Sequence, residues 1–323
     1  MEDRRDFRSE PAPDVVTSFE LGSDQSGESV GVYRMTRLGG VEFWSVSESE
    51  RPWEMLHDKY SACLVAGRAE VPARLWHSRG AERTAWGGSL ELVEPGEVSR
   101  TVEVFGRASF FVVWWEPSVI ERVAADLGVS GLLHFKLPQI DLPALSERFA
   151  LLCDRVTAGA DAAAIREAYD RALRELLLVA GEGATSRRAR GRHHPAVRQA
   201  IDYMTQCYGE PISLDRLAAE ARLSKFHFAR CFQSATGVAP HKYLTLLRVR
   251  EARRLLETGM TVGEAADRTG FADASHLSRT FRKWLGVAPG AWGKAWVLST
   301  PTEPYPATIP PPNLLEDLER DAS

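Results

Sequence analysis

The sequence predicts a multidomain protein: a mostly-β barrel with trailing helices, followed by an all-α domain in which a pair of short helices occurs twice. The chain has 323 residues, more than one average domain needs. Short apolar or alternating runs fill its first third, as strands do, and a self-similar segment occupies residues 212–292. Residues 183–194 are rich in Gly, Ser and Arg, which predicts a linker between the two domains.

Composition limits the class of protein. No run approaches the roughly 18 apolar residues that span a bilayer, and the charged start Met1–Asp6 is not followed by the apolar stretch of a signal peptide. We therefore expect a cytoplasmic protein without a membrane partner. The four cysteines are scattered and form no CxxC pair, so we expect free thiols, no metal and no cofactor. These are Cys63, Cys153, Cys207 and Cys231.

Charge is distributed unevenly along the chain. The net charge of the whole chain is −4, but residues 187–294 carry 19 Lys and Arg against 9 Asp and Glu. That segment therefore has a net charge of +10 and the remainder −14. A basic segment on an acidic body indicates a polyanionic partner for that segment alone.

The elements of the first domain, residues 26–182, follow a polar N-terminal arm at 1–25 that we expect to be flexible. Seven short strands at close spacing predict a barrel or a sandwich. They are Val30–Met35, Val41–Val46, Ser61–Ala66, Ala69–Ala73, Ser89–Val93, Ser99–Val104 and Ala108–Trp115. Helical periodicity then predicts helices at Pro117–Leu127, Pro143–Thr157 and Ala162–Ala180, with one more strand at Leu132–Leu137.

The second domain, residues 195–296, contains two related units. His227–Phe232 matches His276–Phe281, and Gly237–Pro240 matches Gly286–Pro289, at a spacing of 49 residues. Each unit has a short helix, a tight turn and a second helix, which is the helix-turn-helix pattern. Further helices are predicted at the start, from Pro195, and between the units, from Pro240 to about Glu257. The Pro-rich and acidic residues 297–323 predict a disordered tail.

The second domain resembles the DNA-binding domain of the AraC/XylS family. The motifs that carry the resemblance are Gly270-Phe271, Leu277–Phe281 and Gly286–Pro289, in the order and spacing of the family. The resemblance implies that the two units are joined by a linker helix and bind promoter DNA. It also implies a transcription activator that contacts RNA polymerase, although nothing in the sequence excludes repression.

The first domain resembles the cupin-like sensor domain of the same family. The resemblance is carried by His57–Tyr60, Leu64–Arg68 and Gly88–Glu97. It implies a small-molecule effector, and a homodimer formed through the helices in 143–180. His57 and His77 are isolated, and the HxH pair of a metal-binding cupin does not occur, so we expect no metal. By residue type, the candidates for lining an effector pocket are Trp44, His57, Tyr60, Trp76, Trp86 and Trp114.

The resemblance also implies which side chains contact DNA. The base-contact candidates of the first unit are Lys225, Phe226, Ala229 and Arg230. Those of the second unit are Ala274, Ser275, Ser278 and Arg279. Arg230 and Arg279 lead, because Arg pairs bidentately with guanine. The phosphate-contact candidates are Ser224, Lys242, Arg282 and Lys283.

Two alternatives remain open at this point. In the first, the protein binds DNA, but its barrel takes no small molecule and serves only to dimerise. In the second, the barrel is an enzyme with a fused helical domain. The second lacks a metal cluster, a GxSxG elbow and a phosphate-cradling Gly-rich loop in the sequence, so we expect no enzyme activity.

Overall fold

The computed structural model describes residues 17–21, 33–68, 71–129, 132–184 and 195–298. These residues form a β-rich domain with three helices and a separate helical domain. The linker residues 185–194 and the tail residues 299–323 lie outside the described residues. The flexible-arm prediction for 1–25 is wrong for Thr17–Leu21, because this segment pairs with Tyr33–Leu38 as an edge strand.

The β-rich domain is built from two sheets that face each other. The larger sheet has the strand order β1-β2-β3-β10-β5-β8-β12 and the smaller β4-β9-β6-β7, all with antiparallel neighbours. The strands are β1 Thr17–Leu21, β2 Tyr33–Leu38, β3 Val41–Ser49, β4 Glu54–Leu56, β5 Tyr60–Val65, β6 Pro72–Ser78, β7 Ala81–Trp86, β8 Leu90–Val93, β9 Val98–Val104, β10 Ala108–Trp115, β11 Leu132–Phe135, β12 Gln139–Ile140 and β13 Gly181–Ala184.

Alternation along β10 shows how the large sheet divides its two faces. Phe111, Val113 and Trp115 point outward into one apolar cluster, where they pack on the helices that follow. These helices are α1 Pro117–Asp126, α2 Pro143–Thr157 and α3 Ala162–Ala180. Phe110 and Trp114 point into the barrel instead. The helices therefore cover the back of the sheet, and the barrel interior faces the smaller sheet.

A hairpin, β6–β7, stands where the sequence predicts the single strand Ala69–Ala73, whose first two residues lie outside the described residues. Strand β6 runs from Pro72 to Ser78, so it overlaps the predicted strand only at Pro72 and Ala73, and the hairpin turns at Arg79 and Gly80, with φ values of 50° and 76°. Two consecutive positive φ values match the right-handed twist of a tight hairpin. Arg rarely occupies this position, so the turn carried no sequence signal.

A short two-stranded sheet closes the first domain. Leu132–Phe135 pairs with Gly181–Ala184, which directly follows α3. The strand predicted at Leu132–Leu137 is thereby confirmed, and it ends two residues earlier than expected. Residues 183 and 184, predicted as linker, belong to this sheet.

The helical domain contains seven described helices. They are α4 Pro195–Cys207, α5 Leu214–Glu220, α6 Lys225–Thr236, α7 Pro240–Glu257, α8 Val262–Thr269, α9 Ala274–Leu285 and α10 Pro289–Leu298. The two units repeat even in their caps: Gly237 ends α6 with φ 80° and Gly286 ends α9 with φ 78°. Left-handed glycine is the usual way to end a helix. The final helix α10 was not predicted as a separate element.

Candidate DNA-binding interface

The first helix-turn-helix unit is held together by a small apolar core. Leu217 and Ala218 of α5 and Phe228 and Phe232 of α6 are all buried. The rings of Phe228 and Phe232 lie 5.5 Å apart between centroids. Because Ala218 is small, α5 and α6 approach closely, and the N-terminal half of α6 is presented outward.

Four predicted base-contact residues occupy the presented face of α6. Phe226 is 81% exposed, an unusual exposure for a phenylalanine. Lys225 and Arg230 are also exposed, and Ala229 is partly exposed. Lys225 Nζ lies 2.7 Å from a carboxylate oxygen of Asp215, so part of its charge is neutralised within the unit.

The second unit presents the corresponding face of α9. Ser275 and Arg279 are exposed, and Ala274 and Ser278 are partly exposed. The Asp273 side chain accepts a hydrogen bond from the backbone N–H of His276 at 2.7 Å and thereby caps the helix. All eight predicted base-contact residues are thus accessible, and they form two separate groups of four.

The phosphate-contact candidates occupy environments that differ from one residue to the next. Ser224 caps α6, with its hydroxyl accepting from the His227 N–H at 3.4 Å. Lys242 Nζ lies 2.7 Å from Glu54 of strand β4, and over the ring of Trp284 at 5.3 Å. In this arrangement Lys242 therefore contacts the barrel, which differs from its predicted role.

Arg282 and Lys283 lie at the end of α9, where they also meet the barrel. Arg51 donates hydrogen bonds from its guanidinium to the backbone carbonyls of both residues, at 3.0 Å to that of Arg282. The Lys283 side chain is exposed. A guanidinium beside the last carbonyls of a helix is favourable, because this end of the helix dipole carries partial negative charge.

Helix α7 joins the two units and is buried along most of its length. Leu244, Leu247 and Leu256 contribute to the domain core. Arg248 donates two 2.8 Å hydrogen bonds to the backbone carbonyls of Tyr208 and Glu210, which fixes the loop before α5 to this helix. At 1.5 Å per residue, the 18 residues of α7 span roughly 27 Å.

The sequence missed a close junction between the barrel and the helical domain. Arg253 of α7 pairs with Asp58 at 3.2 Å, and the pair is largely buried. Trp44 of the barrel contacts Trp292 of α10, with ring centroids 5.4 Å apart. The barrel interior and the core of the helical domain form one continuous apolar cluster. The only feature of the sequence that indicates this junction is the density of arginines on α7. The same density is equally typical of a DNA-binding surface or of a solvent-exposed face.

The six predicted pocket residues do not line one cavity. Trp44, Trp76 and Trp114 are buried, whereas Trp86 is 38% exposed. Three cavities that are lined by described residues border the junction, with volumes of about 750, 480 and 20 Å³. Of the six residues, Tyr60 lines the first, His57 the second and Trp114 the third. The cavities thus lie at the junction of the domains, at places that residue type alone did not indicate.

His57 occupies a closed environment. Its ring stacks on Trp114 at 4.9 Å, and its Nε2 lies 2.8 Å from the hydroxyl of Ser99. Burial lowers the pKa of His57 to about 3, against the weaker opposing influence of Asp58. The imidazole is therefore neutral at physiological pH.

The described residues hold no group of three or more His, Cys, Asp or Glu side chains that could bind a metal ion. Within the described part of the chain, no helix is both long and apolar enough to cross a membrane. The four cysteines are free thiols, and burial raises the pKa of Cys63 to about 12. Cys63 is therefore protonated at physiological pH.

Known proteins are similar mainly to the helical domain. The model of a helix-turn-helix domain family matches residues 217–295. The uncharacterized HTH-type transcriptional regulator YbfI of Bacillus subtilis is 33% identical over 81 residues, which cover 25% of this chain and 30% of that protein. The HTH-type transcriptional activator RhaS of Salmonella agona is 28% identical over 193 residues, covering 55% of this chain and 66% of RhaS.

Among solved structures, the DNA-binding domain of AdpA, crystallised with a target DNA, is 34% identical. It covers 34% of this chain and 100% of the AdpA chain, with a TM-score of 0.33. This chain spans 30% of the length of YbfI, so the likeness concerns the helical domain more than the whole protein.

Proposed function

We propose that this chain, which belongs to the AraC family of transcription regulators, is a sequence-specific DNA-binding regulator that reads two successive major-groove segments. The observation that carries the proposal is the pair of exposed faces on α6 and α9, held apart by the buried helix α7. A recognition helix fits the major groove and presents its N-terminal residues to base edges. Two such helices about 34 Å apart would meet successive turns of one face of the DNA.

The two units differ in what they offer to bases. In the first, Arg230 supplies a guanine-reading guanidinium, and exposed Phe226 supplies an apolar surface for a thymine methyl group. In the second, Arg279 stands among small residues. We therefore assign more of the specificity to the first unit.

The test begins with the full-length protein and a pool of random DNA, from which the preferred site is selected and footprinted. Fluorescence anisotropy then measures the affinity of Arg279→Ala for that site and for every single-base variant of it. We expect a loss of about 1–3 kcal/mol on the selected site and relaxed preference at one base pair. Arg107→Ala, a change at an exposed arginine between β9 and β10 of the barrel, should leave affinity unchanged.

Two results would contradict this assignment. If Arg279→Ala weakens binding equally on selected and scrambled DNA, the side chain contacts a phosphate and reads no base. If the selection enriches no sequence, the proposal of sequence-specific binding is wrong. Affinity measured at two salt concentrations identifies a phosphate contact, because the loss of such a contact reduces the salt dependence of the affinity.

We further propose that the protein is a homodimer and a ligand-responsive activator that contacts RNA polymerase. Exposed Leu151 on α2 and Leu178 on α3 support dimerisation through this pair of helices. The domain-junction cavities support an effector, and RhaS is itself named an activator. Transcription in vitro from a promoter that carries the selected site tests whether the protein activates or represses. A fall in the amount of transcript would show that it is a repressor.

A further inference from the structure

A cavity of about 750 Å³ lies between the barrel and the first helix-turn-helix unit. Tyr60, Leu133 and Glu121 line it from the first domain, and Asp202 and Tyr243 line it from the helical domain. Its volume falls in the range of small-molecule sites, which often lie where two domains meet. We propose that this cavity binds a small organic ammonium ion and that the bound ion holds the two domains together.

The charges around the cavity favour a cation. Four carboxylates line it, together with the two guanidiniums of Arg79 and Arg198 and the imidazole of His134, which contacts Glu94 at 2.6 Å. The carboxylates belong to Glu94, Glu97, Glu121 and Asp202. Arg79 is already committed, because it donates to Glu94 at 2.7 Å and to Glu97 at 2.8 Å. Two carboxylates, those of Glu121 and Asp202, have no ion pair with any of the described residues, and Glu121 accepts a hydrogen bond from Tyr60.

The hydroxyl group of Tyr243, which faces the cavity, supplies independent support for a ligand. Tyr243 is only 3% exposed and lines the cavity, yet its hydroxyl makes no hydrogen bond to any residue that the structure describes. Because this hydroxyl is open to the cavity, it is available to a bound molecule. Burial raises the pKa of Tyr243 to about 12, so the phenol stays neutral and offers its oxygen as an acceptor.

The remaining lining suits a hydrocarbon body. Val98, Leu133 and Ile201 contribute apolar side chains, and Tyr60 is held by a 2.9 Å hydrogen bond to the Leu133 carbonyl. Burial raises the pKa of Glu121, because the carboxylate is partly removed from water. An ammonium group nearby would favour the charged carboxylate. The lining therefore fits an amine with a short aliphatic chain.

This inference rests on the proposed function, because the cavity reaches the end of the first recognition helix. Ser234, Ala235 and Thr236 of α6 line it opposite the barrel turn at 95–98. A ligand that contacts both domains binds the docked arrangement more tightly than a separated one, and so shifts the population toward it. The occupied cavity would thus connect the barrel to the position of α6.

The experiment uses the full-length protein and a matched set of probes. Thermal melting and calorimetry are measured with primary amines and α,ω-diamines of two to six carbons, including 1,4-diaminobutane. The controls are 1,4-butanediol, which keeps the length without the charge, and succinate, which reverses the charge. We expect one or more amines to raise the melting temperature and to bind with measurable heat, while both controls do neither.

Variants locate the site. Tyr243→Phe and Asp202→Asn should each weaken amine binding by about tenfold, as expected for the loss of one hydrogen bond to a charged group. Asp267→Asn, a change at an exposed carboxylate of α8 outside the cavity, should not. Asp202 is itself exposed, so its variant should fold even if Tyr243→Phe does not.

The outcomes are separable. No binding by any amine in the set, an equal response to succinate or diol, or full amine affinity in both variants would each overturn the inference. Site-specific DNA binding measured without amines decides the proposed function independently. If the protein binds its DNA site specifically but binds no amine, the proposed function stands and only the proposal for the cavity is wrong.

Discussion

Arg222 and Gly270 occupy the same position in the two helix-turn-helix units, yet their environments differ. Arg222 adopts φ 53° and Gly270 adopts φ 73°, so both stand in the left-handed region where glycine is favoured. A Cβ added to Gly270 would lie 2.7 Å from the carbonyl oxygen of Gly209 and 2.9 Å from the Arg248 guanidinium. The second turn therefore requires glycine for two reasons, strain and space.

We predict that replacing each of these two residues changes the stability of the protein in opposite directions. Gly270→Ala should lower the free energy of unfolding by about 1–3 kcal/mol, because it adds left-handed strain to a steric conflict. Arg222→Gly should raise it by up to about 1 kcal/mol, since it relieves left-handed strain at some cost in chain entropy. Urea unfolding followed by circular dichroism measures both. A neutral Gly270→Ala would contradict the steric argument.

His57 gives a prediction on pH. Its pKa is about 3 in the folded protein, against an ordinary value of 6.5, so the unfolded chain binds more protons between these pH values. Stability from the neutral imidazole is fully present above pH 6.5 and is lost as the pH falls below it. Wild type should lose about 2 kcal/mol between pH 6.5 and 5 relative to His57→Gln.

The matched control for this prediction is His241→Gln, at an exposed histidine of α7. Urea unfolding at pH 7.5, 6.5 and 5 gives the three stability curves. The control should follow wild type, whereas His57→Gln should show a flatter dependence. Parallel curves for all three proteins would mean that His57 is accessible to protons in the folded state.

At the scale of elements, α7 determines how the two units can meet DNA. Its core leucines and the hydrogen bonds from Arg248 tie it to the first unit, and it also packs against α8 and α10 of the second. The spacing of the two reading faces is therefore built into the domain. A DNA site whose two halves are spaced differently cannot contact both faces at once.

We predict that five base pairs inserted between the two halves of the selected site will weaken binding about 100-fold, by removing roughly two base contacts of one unit. The insertion turns one half by about half a helical turn. The same five base pairs placed outside the site should have no effect. A ten-base-pair insertion should not restore affinity, because the halves then face the same way but lie too far apart. Restored affinity would mean that the units move independently.

Local patterns predicted the helical elements better than the strands. The repeat, the caps at Ser213 and Thr261 and the glycines at helix ends are all short-range signals, and they correspond to observed helices. Strand pairing depends on distant partners, so the sequence predicts an arm where β1 lies and no strand where β7 lies. The base-contact candidates came from the family resemblance of the two units, and all eight are accessible in the structure. The junction cavities could not be predicted, because their linings come from both domains.

At the scale of the whole molecule, the barrel contacts the C-terminal ends of both recognition helices. Arg51 meets the last carbonyls of α9, and the ring of His77 packs against Gly237 at the end of α6. A Cβ at Gly237 would lie 2.5 Å from that ring, so the contact depends on glycine. The N-terminal ends of α6 and α9, which carry the base-contact candidates, remain exposed. The barrel therefore contacts α6 and α9 at the ends opposite to their exposed N-terminal residues.

The opposite side of the barrel carries α2 and α3, and their exposed leucines predict the assembly state. Leu178 is 69% exposed and Leu151 is 42% exposed, while Arg148 and Glu175 link the two helices at 3.3 Å. Apolar side chains exposed on paired helices form interfaces by burying each other, at roughly 25 cal/mol per Å² of apolar surface. We predict a dimer with twice the 35.8 kDa mass of the chain.

The double variant Leu151→Glu with Leu178→Glu should convert this dimer to a monomer in sedimentation experiments, because four buried carboxylates would repel each other across the interface. Val71→Glu, a change at a residue 55% exposed and outside these helices, is the matched control and should stay dimeric. If the monomer still binds the selected site at wild-type affinity, one protomer suffices to read it. If the double variant remains dimeric, the interface lies elsewhere and the two leucines are ordinary surface residues.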